Sequence, residues 1–261
     1  MTRVALVSGA ARGIGAATVR ALAAEGWAVI AADRAADDPR LPYALGSEDE
    51  LHALARSIEP ERVTPVVADA SDADAMRELV EEAERTHGGL DAIIAAAGVV
   101  AGGVPFWEMA PDAADAVLEA NLGGVLVAAR VGIPALLRRP QPRAGRFVAV
   151  ASSAASRGLP MLAAYCAAKA GITGFVRALA LELRGTGITA NTVSPGSTRT
   201  PILDESARLY ELRCAEEFAG QQPIERLLEP QEIAALIVWL AGTTGGGVTG
   251  ADFLIDGGLS L

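Results

Sequence analysis

The chain has 261 residues, of which 51% are apolar and 21% are charged, and its formal net charge is −10 at pH 7. A chain of this length buries a core without disulfide or metal staples, and its high apolar content excludes intrinsic disorder. The acidic balance argues against binding to phosphate backbones or anionic membrane surfaces. We therefore exclude nucleic acids and membranes as partners.

The chain also offers little for a metal site or an export signal. Two cysteines, Cys166 and Cys214, and two histidines, His52 and His87, form no zinc-binding spacing and no disulfide framework. The first residues, MTRVALVSG, lack the apolar segment and the cleavage site of a secretory leader. No apolar run of about 18 residues is free of charge and glycine, so we predict no membrane span and a cytoplasmic location.

Short apolar runs alternate with helical patterns along the whole chain, which is typical of a parallel α/β sheet. Seven strands are predicted, at 3–8, 28–32, 63–68, 90–96, 146–151, 188–194 and 251–255. Helices are predicted near 13–25, 48–57, 72–86, 112–138, 162–184 and 230–241. The pattern predicts one Rossmann-type, doubly wound α/β domain over 1–261, with helices on both faces of a seven-stranded parallel sheet.

Two connections between these elements are unusually long. The first, 35–61, contains Pro39, Pro42 and Pro60, and the second, 197–229, carries apolar residues on mixed helical spacing. Connections of this length are usually binding segments or active-site lids. We therefore predict a binding insertion near 35–61 and a substrate lid near 197–229.

A glycine-rich turn follows the first predicted strand, with Gly9, Arg12, Gly13, Ile14 and Gly15 in the run GAARGIG. Glycine lets backbone N–H groups approach a pyrophosphate closely, and the following helix N-terminus favours an anion. An ordinary tight turn is the alternative for these residues taken alone. Their position between a strand and a helix favours a dinucleotide-binding turn.

Two carboxylates extend this pattern. Asp33 ends the second strand, 24 residues beyond Gly9, where it would bind the adenosine ribose hydroxyls, and Asp69 after the third strand would reach the adenine. A 2′-phosphate would face the Asp33 charge, so the sequence favours NAD over NADP. Arg34 and Arg12 would partly offset that charge. A plain loop carboxylate is the alternative for Asp33.

Tyr165 and Lys169 stand four residues apart on a predicted helix, so their side chains lie on the same face. An ammonium beside a phenol stabilises the phenolate and lowers a pKa that is ordinarily about 10. Such a phenol exchanges a proton while a hydride moves to or from a nicotinamide. Lys169 is the only lysine of the chain and Tyr165 is one of three tyrosines, which argues against a chance pair.

Together these motifs resemble the classical short-chain dehydrogenase/reductase family. The resemblance rests on SGAARGIG at 8–15, Asp33, AAAG at 95–98, Asn121, Ser152, Tyr165-x-x-x-Lys169 and PGSTRT at 195–200, and it covers nearly the whole chain. It implies that Ser152 positions the substrate oxygen, with Ser153 as the rival, and that Asn121 supports a water relay to Lys169. By its local chemistry alone, Asn121 would equally cap a helix.

The resemblance also implies further cofactor contacts, at Ala70, Ala97, Gly98, Pro195, Gly196, Thr198 and Thr200. The last four belong to the loop expected to hold the nicotinamide amide, with Thr200 as its hydroxyl contact. AAAG departs from the usual Asn-Asn-Ala-Gly, so we expect packing to replace lost side-chain hydrogen bonds beside the central strand. Family members are usually homotetramers or homodimers, and we expect the same here.

Three features resemble one subgroup, the mycofactocin-associated short-chain dehydrogenases. They are the long segment between Asp33 and Asp69, the AAAG variant, and TRTPILDESARLYEL at 198–212. This resemblance implies that bound NAD is reoxidised in place, with mycofactocin as the external electron acceptor.

We predict an NAD-dependent oxidoreductase that interconverts a hydrophobic secondary alcohol and its ketone. Apolar residues of the expected pocket favour such a substrate: Val99, Val100, Phe106, Leu159, Met161, Leu203 and Leu209. One alternative is an NADPH-dependent ketoreductase resembling 3-oxoacyl-acyl-carrier-protein reductases, which Asp33 disfavours. The other is a non-catalytic NAD-binding sensor, which would have no need of the Tyr165–Lys169 pair.

Overall fold

The computed structural model describes residues 2–261, and its centre is one parallel sheet with the strand order β3-β2-β1-β4-β5-β6-β7. The strands are β1 (Val4–Ser8), β2 (Ala28–Asp33), β3 (Val63–Val67), β4 (Ala92–Ala95), β5 (Arg146–Val150), β6 (Thr189–Pro195) and β7 (Asp252–Ile255). All neighbouring strands pair in parallel. The predicted seven-stranded, doubly wound fold is confirmed.

In the described part of the chain, eight α-helices accompany the sheet: α1 (Gly13–Ala24), α2 (Glu48–Arg56), α3 (Ala73–His87), α4 (Pro111–Leu118), α5 (Gly124–Arg138), α6 (Ala163–Glu182), α7 (Pro201–Leu209) and α8 (Pro230–Ala241). The six predicted helices are confirmed, but 112–138 is interrupted by a π-helical turn at Glu119–Gly123. The long connection 197–229 is not free of regular structure, since it contains α7 and a 3₁₀ turn at Ala215–Gln221.

The two faces of the sheet bury separate apolar clusters. In β1, Val4 and Leu6 pack in one cluster with residues of α3, α5 and α6, whereas Ala5 and Val7 pack in the other with residues of α1, α2 and α8. Side chains alternate between the faces of a strand, and here both faces are covered. The strands therefore appear in the sequence as continuous apolar runs rather than as alternating ones.

The helical run Pro111–Arg138 is long and apolar enough to cross a membrane by length and composition alone, and half of its most apolar window is buried in the fold. Val125, Ala128, Ile133 and Leu136 of this run belong to the apolar cluster on one face of the sheet. A core helix passes the same test, and its packing accounts for the apolar face.

The strand order reverses direction between β1 and β4. From β1 the chain first builds outward to β3, and from β4 it builds the other half as far as β7. In open parallel sheets ligands bind in the crevice at such a reversal, outside the carboxyl ends of the strands. Gly9 at the end of β1, Gly98 after β4 and Ser152 after β5 all lie at this edge.

Candidate active site

A cleft of about 530 Å³ opens over the carboxyl ends of the strands, a volume typical of small-molecule sites. All of the predicted cofactor-binding residues line it: Gly9, Arg12, Gly13, Ile14, Gly15, Asp33, Arg34, Asp69, Ala70, Ala97, Gly98, Tyr165, Lys169, Pro195, Gly196, Thr198 and Thr200. Within residues 2–261, no group of three His, Cys, Asp or Glu side chains could hold a metal ion.

The glycine-rich turn packs its backbone directly against neighbouring backbone, with Gly9 against Ala97 and Gly15 against Gly9. Gly9 has a φ of +69°, and a Cβ there would lie 2.6 Å from the Ala97 Cα; a Cβ on Gly15 would overlap the Gly9 carbonyl. No side chain caps the first turn of α1, which also carries no acidic residue. Its amide N–H groups and the positive end of its dipole thus remain for an anion at this end of the cleft.

At the adenosine end, the side chains predicted to select the cofactor are tied to their neighbours. The Asp33 carboxylate accepts hydrogen bonds from the Ala11 N–H (2.9 Å) and the Ala35 N–H (3.0 Å). Arg34 forms ion pairs with Asp38 (2.8 Å) and Asp69 (3.3 Å). Two carboxylates therefore share the charge of Arg34, which leaves little of it to offset Asp33.

Residues 35–47, which we name the strap, cross this end of the cleft. Arg40 of the strap forms ion pairs with Asp38 (2.7 Å) and with Glu119 of the π-helical turn (2.7 Å). The hydrogen bonds of Arg40 hold the pKa of the buried Asp38 carboxyl well below its usual range. The strap thus connects the end of β2 with the helical run on the far side of the cleft.

Two further hydrogen bonds fasten the strap. The Tyr43 hydroxyl accepts one from the Val100 N–H (3.0 Å), and Arg12 donates one to the Ala44 carbonyl (2.8 Å). Burial raises the pKa of Tyr43 to about 12, so this hydroxyl stays protonated at neutral pH. The sequence marked 35–61 as a binding insertion but gave no sign that Arg40, Tyr43 and Glu119 line the cleft.

The turn after β4 is supported differently from the expectation that packing alone replaces the missing asparagines. The Ser8 hydroxyl accepts hydrogen bonds from the Ala96 N–H (3.2 Å) and the Ala97 N–H (3.4 Å). This correction has a simple cause, because β1 and β4 are neighbours and Ser8 is paired with Ala95 in their register.

Tyr165 and Lys169 share one face of α6, and the Lys169 Nζ lies 5.6 Å from the centre of the Tyr165 ring. The ammonium donates to the Val150 carbonyl (2.9 Å) and has no carboxylate partner among residues 2–261. Burial lowers the pKa of Lys169 to about 7. Burial also raises the pKa of Tyr165 to about 12, although a hydrogen bond with the Ser152 hydroxyl opposes that shift.

The sequence predicted a lowered phenol pKa from the neighbouring ammonium. This expectation is wrong, because the loss of solvent around the phenol raises the pKa of Tyr165 above its ordinary value.

Asn121 lies in the π-helical turn and is completely buried. Its Nδ2 donates to the carbonyls of Val99 and Val117, both at 2.8 Å, so the side chain does not cap a helix by accepting N–H groups. Its Oδ1 has no hydrogen-bond partner within residues 2–261. A Cβ on Gly98 would lie 2.7 Å from this oxygen and 3.4 Å from the Lys169 Nζ. The two polar atoms therefore border one small space that the glycine leaves open.

Ser152 follows β5 in extended conformation, and its Oγ accepts a hydrogen bond from the Ala154 N–H (3.1 Å). Its hydroxyl also contacts the Tyr165 hydroxyl. Ser153 lines the cleft as well, but it is the first residue of the 3₁₀ turn Ser153–Ala155. Of the two serines, the structure places Ser152 beside the phenol.

Buried Gln222 fastens the loop after β6 to the second half of the lid. Its Oε1 accepts from the Ser197 N–H (2.8 Å) and its Nε2 donates to the Arg226 carbonyl (2.6 Å). The Thr200 hydroxyl donates to the Thr198 carbonyl (3.2 Å) and caps α7, accepting the Leu203 N–H at 3.4 Å. These contacts join residues within 197–229. The segment is held to the rest of the chain by the Tyr210 hydroxyl, which donates to the Pro160 carbonyl (2.7 Å), and by the Ile224 N–H, which donates to the Gly257 carbonyl (3.2 Å).

The substrate end differs in part from the predicted lining. Val99, Leu159 and Leu203 line the cleft, whereas Val100, Phe106, Met161 and Leu209 do not. Val100 is buried in the core, and Phe106 is 56% exposed on a short turn. Further lining residues that the sequence analysis did not name include Arg157, Leu162, Ile202, Ser206, Tyr210, Leu212, Phe218, Gln221 and Leu259. For those within 197–229, the only signal in the sequence was the helical spacing of apolar residues along that segment.

Comparisons with known proteins agree with this geometry. Residues 9–260 match the family model described as enoyl-(acyl carrier protein) reductase. The chain is 34% identical to the 3-oxoacyl-[acyl-carrier-protein] reductase of Thermotoga maritima, over 99% of this chain and 98% of that one. It is 35% identical to the cis-4-hydroxycyclohexanecarboxylate dehydrogenase of Sinomonas cyclohexanicum, over 98% and 96%.

Among solved structures, carveol dehydrogenase from Mycobacterium avium in complex with NAD superposes with a TM-score of 0.92 at 28% identity, covering 98% of this chain and 97% of that one. A 3-ketoacyl-(acyl-carrier-protein) reductase from Brucella melitensis, complexed with NADH, gives 0.87 at 26% identity, over 99% and 98%. The sequence and structural similarity extends over almost the entire length of each relative. This chain belongs to the short-chain dehydrogenase/reductase family of NAD(P)-dependent oxidoreductases.

Proposed function

We propose that the chain is an NAD-dependent dehydrogenase that interconverts a hydrophobic secondary alcohol and its ketone. The observation that carries the proposal is the arrangement around Tyr165: the Ser152 hydroxyl contacts the phenol, and Lys169 borders the space beside Gly98 that the unpartnered Asn121 oxygen also faces. A nucleotide-binding protein without catalysis gains nothing from a buried ammonium and an unpartnered buried oxygen, since both are costly to bury.

The residues of the cleft fit a nicotinamide dinucleotide. The uncapped start of α1 suits the pyrophosphate, and Asp33 suits the ribose hydroxyls of the adenosine. Because Arg34 is engaged by Asp38 and Asp69, only Arg12, which donates to the Ala44 carbonyl, remains to compensate Asp33 toward a 2′-phosphate, which supports NAD. When bound, the nicotinamide supplies the hydride acceptor or donor.

The chain's own residues then have distinct tasks. Ser152 positions the substrate oxygen by hydrogen bonding. As the phenolate, the Tyr165 Oη takes the alcohol proton during oxidation; as the phenol, it gives its proton to the substrate oxygen during reduction and becomes the phenolate. Protonated Lys169 stabilises the phenolate that forms. The Asn121 Oδ1 accepts a hydrogen bond from a water in the space beside Gly98, through which a proton reaches the Lys169 side. Apolar lid residues exclude bulk water from the reacting oxygen.

Cofactor choice is tested by titrating NAD and NADP into cofactor-free protein by calorimetry at moderate salt. We expect NAD to bind at least ~10-fold more tightly, and Asp33→Asn to reduce that preference, because the substitution removes the repelling charge. Equal or tighter binding of NADP to the unchanged protein would refute the NAD assignment.

We further propose that NAD stays bound between turnovers and is reoxidised in place by an external carrier, for which the subgroup resemblance suggests mycofactocin. The strap over the adenosine end and the lid over the nicotinamide end support this, because both segments would have to open before the cofactor leaves. The strap is fastened to the rest of the chain by the Arg40–Glu119 ion pair and by the Val100–Tyr43 hydrogen bond, and residues 197–229 by the hydrogen bond from Tyr210 to the Pro160 carbonyl.

This retention has a direct test. Purified protein should carry stoichiometric NAD through dialysis, reduce it once with a suitable alcohol, and then stall in free NAD until an artificial electron acceptor is added. Rapid exchange with isotopically labelled NAD, or steady turnover in free NAD, would leave a conventional dehydrogenase.

The second candidate is an NADPH-dependent ketoreductase, favoured by the 34% identity to the Thermotoga maritima reductase. Assays with NADPH and an acetoacetyl thioester distinguish the two: the ketoreductase requires efficient reduction with NADPH, whereas our proposal requires little or none.

We also propose a cytoplasmic homodimer or homotetramer. β7 is an edge strand of the sheet and exposes Leu254 (51%), and Trp239 of α8, which packs against Phe253 of β7, is also partly exposed; a second copy would cover this apolar edge. Light scattering at micromolar concentration gives the mass, and Leu254→Glu should shift it toward that of the monomer.

A further inference from the structure

The substrate end of the cleft contains one cation among apolar side chains. Arg157 lines it together with Leu159, Leu203, Phe218 and other lid residues. Arg157 forms no ion pair within residues 2–261, in contrast to Arg34 and Arg40 at the adenosine end of the same cleft. The only other charged side chain among the nearby lining residues is Lys169 beside the phenol.

The position of Arg157 is fixed by the elements around it. It follows the 3₁₀ turn Ser153–Ala155, five residues beyond Ser152. Its Nη1 donates to the carbonyl of Leu259 near the chain's C-terminus (2.5 Å). This one hydrogen bond restrains the long side chain, and it leaves most of the guanidinium N–H groups available to donate hydrogen bonds to a ligand. A restrained cation loses less conformational entropy when it binds a ligand.

We propose that Arg157 binds a carboxylate of the substrate, so that the alcohol is a hydroxy acid with an apolar body. Arg157 is exposed at the mouth of the cleft, and a guanidinium there matches a carboxylate with two parallel, charge-assisted hydrogen bonds. The chain has a net charge of −10 and as a whole repels anions. An arginine without a carboxylate partner is therefore a local exception that favours binding of an anion at this place. This inference rests on the proposed function for the alcohol, but the binding site does not require turnover.

Binding measurements therefore test the inference without relying on hydride transfer. We would titrate cyclohexanecarboxylate and cyclohexanecarboxamide, which have the same shape and differ in charge, into protein saturated with NAD. The unchanged protein should bind the carboxylate at least ~10-fold more tightly. Arg157→Gln should abolish the preference without weakening the carboxamide, and Arg157→Lys should keep part of it.

Arg130→Gln is the matched control, because it removes the same charge from an exposed position on α5 outside the cleft. It should leave the preference unchanged. Equal binding of the two ligands to the unchanged protein, or an equal loss for both in Arg157→Gln, would overturn the inference and leave Arg157 as an anchor for the C-terminal segment.

A kinetic comparison separates this inference from the proposed function. We would assay 4-hydroxycyclohexanecarboxylate and its methyl ester in the presence of NAD and an artificial electron acceptor. Oxidation of both with equal kcat/KM overturns the inference alone. If neither these nor other secondary alcohols are oxidised while the carboxylate preference depends on Arg157, the proposed function fails and the anion site stands.

Discussion

The two ends of the cleft treat their charged groups in opposite ways. At the adenosine end, Arg34 and Arg40 are matched by the carboxylates of Asp38, Asp69 and Glu119, and these pairs hold the strap in place. At the catalytic end, the Lys169 ammonium has no carboxylate partner within residues 2–261, and it donates its hydrogen bond to the Val150 carbonyl. The first arrangement stabilises structure, whereas the second preserves reactivity.

The difference teaches how the fold supports the two tasks. Secondary structure buried in the core, α6, β5 and the π-helical turn, positions the catalytic groups, so they need no mutual ion pairs. The strap is a loop without such support, and its conformation depends on side-chain pairing. The following experiments perturb one end while measuring the other.

The largest effect is expected for Tyr165→Phe, which removes only the hydroxyl that exchanges the proton. We expect kcat to fall by about 10³-fold, while NAD affinity and the melting temperature stay nearly unchanged. Steady-state kinetics and calorimetry measure the two quantities separately. Lys169→Arg should also impair kcat, because the planar guanidinium does not fit the buried site of a compact ammonium. Near-normal activity of the Phe variant would move the acid–base role elsewhere.

Gly98→Ala tests the space between Asn121 and Lys169. Its methyl group would lie 2.7 Å from the Asn121 Oδ1, so we expect kcat to fall by about 100-fold, with a smaller change in NAD affinity. Gly174→Ala is the control: that glycine lies on α6 with no atom near its missing Cβ, and the change should stabilise the helix by about 0.5–1 kcal/mol. Unchanged kcat in Gly98→Ala would show that the space has no catalytic role.

Asp38→Asn perturbs the adenosine end. It removes the carboxylate shared by Arg34 and Arg40, so we expect NAD release to accelerate about 10-fold while the hydride-transfer rate stays the same. Stopped-flow fluorescence of bound NADH measures release. Glu59→Gln, which breaks the exposed Arg62–Glu59 pair, is the control and should have no effect.

The direction of the Asp38 pKa shift adds a pH dependence. Its folded pKa is lowered, so its contribution to stability is present above the ordinary carboxyl pKa and is lost as the pH falls through the folded value. The unchanged strap should therefore retain NAD even at mildly acidic pH. Release that already accelerates near pH 5 would contradict this account.

The smallest effect is expected in stability. Between pH 7 and the ordinary lysine pKa of 10.5 the unfolded chain binds a proton that folded Lys169 lacks, so stability rises with pH across this window. Lys169→Met removes the cost of burying the charge but leaves the Val150 carbonyl without its donor. We expect the cofactor-free variant to gain about 1–2 kcal/mol, and more at pH 6 than at pH 9. Urea unfolding measures this, and a destabilised variant at pH 6 would contradict it.

The sequence by itself determined the succession of strands and helices along the chain, the glycine-rich turn and the Tyr165–Lys169 pair. All of these depend on local periodicity or on short spacing within one element, and both are visible in a linear chain. For the same reason Asp33 and Asp69 could be placed, since each follows a recognisable strand.

Only the tertiary structure decided which groups neutralise one another. The pairing of Arg40 with Glu119, the bond from the Val100 N–H to Tyr43 and the bond from Arg157 to Leu259 each join residues 50 or more positions apart in the sequence. No period or spacing encodes such contacts, because they arise when the sheet brings the ends of separate strands to one edge. Burial likewise depends on packing from all sides, which is why the raised Tyr165 pKa and the lowered Lys169 pKa could be established only in the folded chain.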